Sequence, residues 1–306
     1  MKRAWLFTGQ GFQYPQMLHQ LPSCGITHRI LGLASEILGY DVKNFDTAEH
    51  LKSNLHTQIC IYLSEVVLAE ILSQQENCQI VSGHSIGSFA AAVCAKVLSF
   101  EDGIRMVQKR GQKMEHLFGY GYGMLAVQGL TYSLCETLQA DFNGEFSDVL
   151  QKNQGSCVYL AIQNEEQQCV FSGKMEALKK FETYIHSLLP AKTHYIQVKV
   201  PSHCTLMHPV TELLEAEARQ IIWNTPSLPV LTNSTARRTV NLQKIKRDLI
   251  TGAQYPVRWY DGITVMKELG IEEFTEISQS ETLTRIGRNC YGTLQWKHYP
   301  ISTVFP

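Results

Sequence analysis

The chain has 306 residues, 44% of them hydrophobic, and its 27 Lys and Arg residues nearly balance its 28 Asp and Glu residues. This length and composition suit one large domain with an inserted subdomain, or two modest domains, with a core of ordinary size. The near-zero net charge argues against a nucleic-acid partner. The sequence shows no signal-peptide core and no apolar run close to the roughly 20 residues that span a bilayer. We therefore predict a cytosolic protein without a membrane partner.

The predicted elements fall into three consecutive segments. The first holds a buried strand, an apolar helix, a short strand and two helices, at residues 4–8, 57–73, 79–82, 86 onward and 101–117. The second follows a glycine cluster at residues 119–123 and holds a strand, a helix, two strands, a helix and a strand, at residues 124–127, 133–139, 158–163, 168–172, 175–188 and 193–200. The third holds a helix, a strand, two helices and a strand, at residues 206–222, 230–232, 242–251, 259–269 and 273–277.

These three segments predict an α/β fold. Strands that alternate with helices in the outer segments indicate a largely parallel sheet. The β-α-β-β-α-β order of the middle segment is the ferredoxin-like pattern. We therefore predict an α/β-hydrolase-like parallel sheet domain formed by residues 1–122 and 201–306, with a ferredoxin-like subdomain inserted at residues 123–200.

A candidate nucleophile lies in the sequence Gly83-His84-Ser85-Ile86-Gly87, a G-x-S-x-G element between a short apolar strand and an Ala-rich helix. A sharp strand-to-helix turn strains the backbone at the serine, and a Cβ at either glycine would collide with the neighbouring chain. The turn exposes Ser85 Oγ beside the first N–H groups of the helix, where negative charge is favoured. The alternative is a helix cap between two packing glycines. We expect His84 to have a structural role.

A serine hydroxyl needs a base to act as a nucleophile at neutral pH. The chain has 11 histidines, so residue type alone selects none of them. His203 follows a predicted strand and precedes an amphipathic helix, and α/β sheets place their chemistry at strand ends. On these grounds alone, a structural histidine remains the commoner interpretation.

The nine cysteines are scattered singly, without a C-x-x-C pair. This spacing predicts reduced, mostly buried thiols, and only Cys204 calls for attention because it adjoins His203. His203 and His208 have the wrong spacing for two metal ligands on one helical face. We expect neither a metal nor a cofactor.

A series of short motifs extends over nearly the whole chain. In order they are GQGFQ (9–13), GHSIG (83–87), QKRGQKM (108–114), GYGMLAV (121–127), VPSHCTLMHPV (200–210) and YPVRW (255–259). Together they resemble the malonyl-CoA:acyl carrier protein transacylase family. An ordered set of this kind is far more specific than a single G-x-S-x-G element.

The resemblance implies a role for each matched residue. Ser85 corresponds to the acylated serine, and His203 to the histidine that deprotonates it and later protonates the leaving thiol. The backbone N–H groups of Gln10 and Ile86 correspond to the oxyanion hole. Arg110 corresponds to the residue that binds the free carboxylate of the malonyl group. A guanidinium can hold a carboxylate through two hydrogen bonds, although sequence alone favours a solvated helix face at this position.

The family orients its histidine with a backbone carbonyl rather than an acidic residue. The corresponding loop covers residues 251–254, and Gly252 stands where the family usually has glutamine. Two further departures are Thr8, where proline usually precedes the first GQG motif, and residues 278–280, where a G-P-G turn is usual. The chain after Arg288 does not match clearly.

Three segments point within the family to the acyltransferase (epsilon) subunit of malonate decarboxylase: GQGFQYPQMLHQLP (9–22), VPSHCTLMHPV (200–210) and PVRWYDGI (256–263). Such a subunit takes malonyl from malonyl-CoA or an equivalent thioester, passes it to an acyl carrier protein, and has the other decarboxylase subunits as partners. The alternatives are the transacylase of fatty acid synthesis, a serine hydrolase or thioesterase, and a non-catalytic interaction module. Arg110 and the lack of an acidic triad partner favour transfer.

A basic cluster follows residue 233. Its members are Arg237, Arg238, Lys244, Lys246 and Arg247. The cluster is either a solvated helix and loop face or the contact for phosphate groups on the nucleotide-bearing arm of the decarboxylase carrier protein.

Overall fold

The computed structural model describes residues 1–118, 120–145, 157–196 and 198–299. The strands are β1 (Arg3–Phe7), β2 (Ile80–Gly83), β3 (Tyr122–Gln128), β4 (Val158–Glu165), β5 (Gln168–Lys174), β6 (Lys192–Ile196), β7 (Val230–Leu231), β8 (Arg238–Thr239), β9 (Val257–Arg258), β10 (Glu273–Glu276) and β11 (Gln295–His298). The α-helices are α1 (Gly25–Leu38), α2 (Asn54–Leu72), α3 (Gly87–Cys94), α4 (Phe100–Leu117), α5 (Tyr132–Glu145), α6 (Met175–Leu188), α7 (His208–Glu217), α8 (Leu242–Thr251), α9 (Trp259–Glu268) and α10 (Thr282–Cys290).

The main sheet has the strand order β11-β10-β1-β2-β7-β8. Its pairs are parallel except for the β7–β8 pair, which is antiparallel. Alternate residues of β1 serve two hydrophobic cores, because successive side chains of a strand point to opposite faces. Trp5 and Phe7 belong to a core that includes the helices of the first segment, whereas Ala4 and Leu6 belong to a core that includes α9, α10 and strands of the middle segment. Helices therefore cover both faces, as parallel sheets require.

The second sheet has the order β6-β3-β5-β4-β9. Its first four strands are antiparallel neighbours, and α5 and α6 pack on one face over a separate apolar core. This is the predicted ferredoxin-like unit. The two-residue strand β9, from the last segment of the chain, extends the sheet by pairing in parallel with β4. The predicted α/β class is confirmed, with two sheets that are each mixed. The domain limits at residues 122/123 and 200/201 stay a prediction.

Two predicted elements end earlier than expected. The predicted strand 193–200 ends at Ile196, and the Val198 N–H turns back to the Ile196 carbonyl at 2.8 Å; position 197 lies outside the described residues. The predicted helix 206–222 is a 3-10 turn followed by α7, which ends at Glu217. Beyond that end, the Ala218 carbonyl accepts from Trp223 Nε1 (2.9 Å) and Lys246 Nζ (3.3 Å). These side chains replace the backbone donor of a further helical turn.

Helix α2 corrects the expectation that no stretch is long and apolar enough to cross a membrane. By length and composition α2 could cross a membrane, but 83% of its apolar 18-residue stretch is buried inside the protein. It packs against α1, α3 and α4. A core helix of a large domain has the same composition as a membrane span.

Candidate active site

The G-x-S-x-G element forms the tight turn between β2 and α3. Ser85 has a φ of 55°, the left-handed conformation that non-glycine residues rarely adopt. A Cβ on Gly83 would lie 2.2 Å from the Gly87 carbonyl oxygen, and one on Gly87 would lie 2.5 Å from the Thr8 carbonyl oxygen. Both glycines are therefore required by close backbone approach, as the sequence predicts. The turn leaves Ser85 partly exposed at the carboxyl end of β2.

Asn233 holds this turn in place. It follows β7, and its Oδ1 accepts from the Ser85 N–H at 3.0 Å. Its Nδ2 donates to the Gly83 carbonyl and to Ser88 Oγ, each at 2.7 Å. The Asn233 N–H in turn donates to Asp248 Oδ2 at 2.8 Å. Sequence reasoning did not assign Asn233 a role, although a polar residue directly after a parallel strand is a usable signal.

Ser85 and His203 are hydrogen-bonded, with 2.8 Å between Oγ and Nε2. His203 Nδ1 lies 2.8 Å from the Gly252 carbonyl and 3.2 Å from the Tyr255 carbonyl. Carbonyl oxygens only accept, so Nδ1 carries the proton and Nε2 accepts from the serine hydroxyl. The His203 N–H donates to the Ala253 carbonyl at 2.7 Å, which fixes the backbone of this residue too. A carbonyl orients the histidine, as the family resemblance implies.

The environment of His203 keeps its imidazole neutral. The residue is 2% exposed. Burial lowers its pKa to about 3, helped by the positive charge of Arg110 and the neighbouring His84, and opposed by the two carbonyls at Nδ1. At neutral pH the Nε2 atom is therefore free to accept a proton.

Arg110 projects from α4 beside the serine. It is 3% exposed; its Nη1 donates to Gln58 Oε1 at 2.6 Å and its Nη2 to Ser85 Oγ at 3.3 Å. Burial lowers its pKa to about 10, so the guanidinium stays charged at neutral pH. No carboxylate of the described residues lies within ion-pair distance of it. A buried cation without a counter-ion is costly, and an anionic group of a ligand would relieve that cost.

The loop before the first helix approaches the same turn. A Cβ on Gly9 would lie 2.8 Å from His84 Nδ1, so this loop packs directly on the G-x-S-x-G element. Gln10 Nε2 donates to Asn54 Oδ1 at 3.0 Å, which anchors the loop to α2. In the described part of the chain, the backbone N–H groups of Gln10 and Ile86 have no acceptor. They are therefore free to donate to a ligand oxygen.

His84 and Cys204 flank the two central residues. His84 Nε2 lies 3.2 Å from Asn164 Oδ1, its ring meets the Trp259 ring edge-on at 5.3 Å, and burial lowers its pKa to about 4. This is the structural role that the sequence predicts. Cys204 is 3% exposed, its Sγ donates to the Pro201 carbonyl at 3.1 Å, and burial raises its pKa to about 12. It is a thiol at neutral pH and a poor nucleophile.

Two of the three departures from the family pattern, at Thr8 and at residues 278–280, contact buried carboxyl groups. The Thr8 N–H and Oγ1 donate to Glu65 Oε1. Ser278 Oγ donates to Glu276 Oε1 at 3.1 Å. Burial raises the pKa of both glutamates, and the nearby Glu276 carboxylate raises the pKa of Glu65 further. Among the described residues, neither Thr8 nor Ser278 hydrogen-bonds to Ser85 or His203.

A parallel α/β sheet with a serine and a histidine hydrogen-bonded at its carboxyl edge is an arrangement of enzymes that handle acyl groups. The chain belongs to the acyl transferase domain family, whose sequence model matches residues 4–301, and it is an acyltransferase.

The chain is similar to known proteins over almost its full length. The chain is 29% identical to the malonyl CoA-acyl carrier protein transacylase of Escherichia coli over 299 residues, covering 95% of this chain and 93% of that protein. It is similar to the solved structure of MCAT from Streptococcus pneumoniae, with a TM-score of 0.88, 26% identity, and coverage of 97% and 96% of the two chains. It is equally similar to a malonyl-transacylase solved in complex with a type II polyketide synthase acyl-carrier protein, with a TM-score of 0.88, 26% identity and 99% coverage of both chains.

Proposed function

We propose that the chain transfers a malonyl group from CoA to the thiol arm of an acyl carrier protein, through an ester on Ser85. The observation that carries this proposal is the buried Arg110 guanidinium, whose Nη2 is 3.3 Å from Ser85 Oγ and which has no carboxylate partner in the described chain. A malonyl thioester presents a carbonyl for the serine and a free carboxylate for the arginine. The names of the relatives support the same substrate.

In the first half-reaction, Ser85 Oγ attacks the thioester carbonyl while His203 Nε2 takes the hydroxyl proton. The free N–H groups of Gln10 and Ile86 stabilise the oxyanion of the tetrahedral intermediate. The C–S bond then breaks, and His203 returns the proton to the departing CoA sulfur. The product is a malonyl ester on Ser85.

The second half-reaction runs the same steps in reverse with a different thiol. His203 Nε2 takes the proton of the carrier's thiol as its sulfur attacks the ester carbonyl. The C–O bond breaks, and the proton passes to Ser85 Oγ. During both halves the imidazolium is stabilised by the Gly252 and Tyr255 carbonyls at Nδ1, which lie at 2.8 and 3.2 Å. These carbonyls do the work of an acidic triad residue.

The narrower assignment, a malonate decarboxylase subunit, is a second candidate. Three sequence segments favour it, whereas the names of the relatives favour the transacylase. A competition separates the two: the malonyl-enzyme is offered both carrier proteins at equal concentration, and kcat/KM is compared. A preference of at least about tenfold for the decarboxylase carrier would support the subunit, and the reverse preference would exclude it. A cytoplasmic location also stays a prediction.

The proposed function is tested by following labelled malonyl-CoA in the presence of a phosphopantetheinylated acyl carrier protein. We expect label on the carrier and initial rates with the parallel-line pattern of a ping-pong cycle. Release of free malonate faster than transfer would make the chain a hydrolase. No turnover of malonyl-CoA by either route would make it a non-catalytic module.

A further inference from the structure

Four of the five clustered basic residues line one cavity. Arg237 and Arg238, from the β7–β8 hairpin, face Lys244 and Arg247 of α8 across a cavity of about 690 Å³. This volume lies within the roughly 300–1,000 Å³ typical of small-molecule sites. We refer to these four residues and the cavity between them as the basic pocket.

Local structure brings these cations together. In the hairpin, the Thr232 N–H donates to the Arg237 carbonyl at 3.1 Å, and Ala236 has a φ of 50°. These features form a tight turn that is followed directly by Arg237 and Arg238. On α8, Lys244 and Arg247 are three residues apart and share one face. The fifth residue, Lys246, lies on another face, with its Nζ 5.1 Å from the centre of the Trp223 ring. The pocket is therefore a feature of the fold and more than a run of basic sequence.

The charge of the basic pocket is not neutralised within the described residues, because none of its four cations has an ion-pair partner there. The one acid in the lining is Asp248. Its carboxylate faces inward and accepts from the Asn233 N–H (2.8 Å), the Ser234 N–H (3.1 Å) and Ser234 Oγ (2.6 Å). The pocket thus presents exposed cations to solvent, while its one acid is hydrogen-bonded to Asn233 and Ser234 and forms no ion pair with these cations.

The basic pocket borders the loop that orients the base. Thr251 and Tyr255 both line it. The Tyr255 carbonyl is 3.2 Å from His203 Nδ1, and Gly252, between them, accepts from the same atom at 2.8 Å. The loop of residues 251–255 thus contributes both to the lining of the basic pocket and to the contacts of His203.

We propose that the basic pocket binds the phosphate groups at the nucleotide end of the CoA donor, an inference that rests on the proposed function. Phosphate oxygens match the donor geometry of arginine and the point charge of lysine. The pantetheine arm would then extend past residues 251–255 and present the thioester to Ser85. The alternative occupant, an acidic surface of the carrier protein, is an outcome of the test.

The test uses the full chain carrying Arg237→Gln and Arg247→Gln together, with Lys246→Gln as the matched control on the same helix. Calorimetry of the unacylated proteins should show CoA binding weakened by at least about tenfold in the double variant only. Pantetheine, which lacks the nucleotide, should bind all three proteins alike. Unchanged CoA affinity in the double variant would overturn the inference.

Kinetics with two acyl donors distinguish an effect on binding of the CoA nucleotide from an effect on the acyl-transfer step. The double variant should raise KM for malonyl-CoA by about tenfold at unchanged kcat, and leave malonyl-pantetheine kinetics as in the wild type. Equal losses with both donors, or a raised KM for the carrier protein alone, would overturn the inference. If the wild type accepts malonyl from neither donor, the proposed function fails, while the calorimetry still decides whether the pocket binds CoA.

Discussion

Replacing Arg110 by glutamine removes a buried charge next to Ser85 while keeping a polar side chain of moderate length. The wild-type guanidinium is 3% exposed and bonds only to Gln58 Oε1 and Ser85 Oγ among the described residues. A bound malonyl carboxylate would therefore be desolvated and would rely on this cation. In the variant, that carboxylate enters the site without a partner.

The size of the loss follows from this burial. Removing one partner of a desolvated, hydrogen-bonded charge pair costs about 2–5 kcal/mol. At about 1.36 kcal/mol per factor of ten, kcat/KM for malonyl transfer should fall by roughly 30-fold to several thousand-fold. An acetyl group lacks the second carboxylate, so acetyl transfer should stay level or rise. Lysine at this position keeps the charge but loses the two-pronged geometry, and it should recover only part of the malonyl rate.

The assay measures kcat/KM for malonyl-CoA and acetyl-CoA with one carrier protein, for the wild type, Arg110→Gln and Arg110→Lys. Equal losses for the two acyl groups in Arg110→Gln would refute a carboxylate-specific role. The pH profile gives a second readout. The charge of Arg110 lowers the pKa of His203, so its removal should move the acid limb of the malonyl profile to higher pH.

The remaining predictions concern His203, the turn at Ser85 and the buried Glu65. His203→Ala should lower the acylation rate by about 10²–10⁴-fold, with the exposed His208→Ala as control. Because burial lowers the pKa of His203 to about 3, the wild-type rate should persist as pH falls well below 6.5. A loss of rate with a midpoint near pH 6.5 would contradict that lowered pKa. Asn233→Ala should lower the free energy of unfolding by about 2–5 kcal/mol in denaturant titrations, while exposed Asn224→Ala should change it little. Burial raises the pKa of Glu65 above its ordinary 4.5, so the folded state favours the protonated acid and loses stability as pH rises above that value. The Tm advantage of Glu65→Gln over the wild type should therefore grow from pH 5 to pH 8, to at least about 2 °C. A difference that stays constant with pH would contradict a raised pKa of this buried carboxyl.

Local patterns predicted the parts of the molecule that local physics determines. The glycines around Ser85 are required by backbone approach within one turn, and helices α6 and α8 begin and end at the predicted residues because their apolar periodicity is unbroken. The ferredoxin-like unit was predictable from the order of its strands and helices along the chain alone. Helix α1, with Gly25 at its start and Gly32 inside it, lacked such a signal and was not predicted.

Contacts between distant segments could not be predicted in the same way. Ser85 and His203 are 118 positions apart, and the family resemblance paired them where spacing alone left a structural histidine as the commoner interpretation. Asn233 supports the turn from 148 positions away, and Gln58 holds Arg110 from a helix that sequence identifies only as apolar. Such partners depend on how helices and strand ends pack in three dimensions. The basic cluster shows the same limit, since only the fold separates Lys246 from the four residues of the basic pocket.

The most direct measurement of the central proposal is intact-protein mass spectrometry after brief incubation with malonyl-CoA, followed by peptide mapping. We expect one malonyl group per chain, located on Ser85, and none on Ser85→Ala. The neighbouring Cys204 is buried and held as a thiol, so Cys204→Ala should label like the wild type. A malonyl group mapped to Cys204, or labelling that survives in Ser85→Ala, would contradict the serine mechanism.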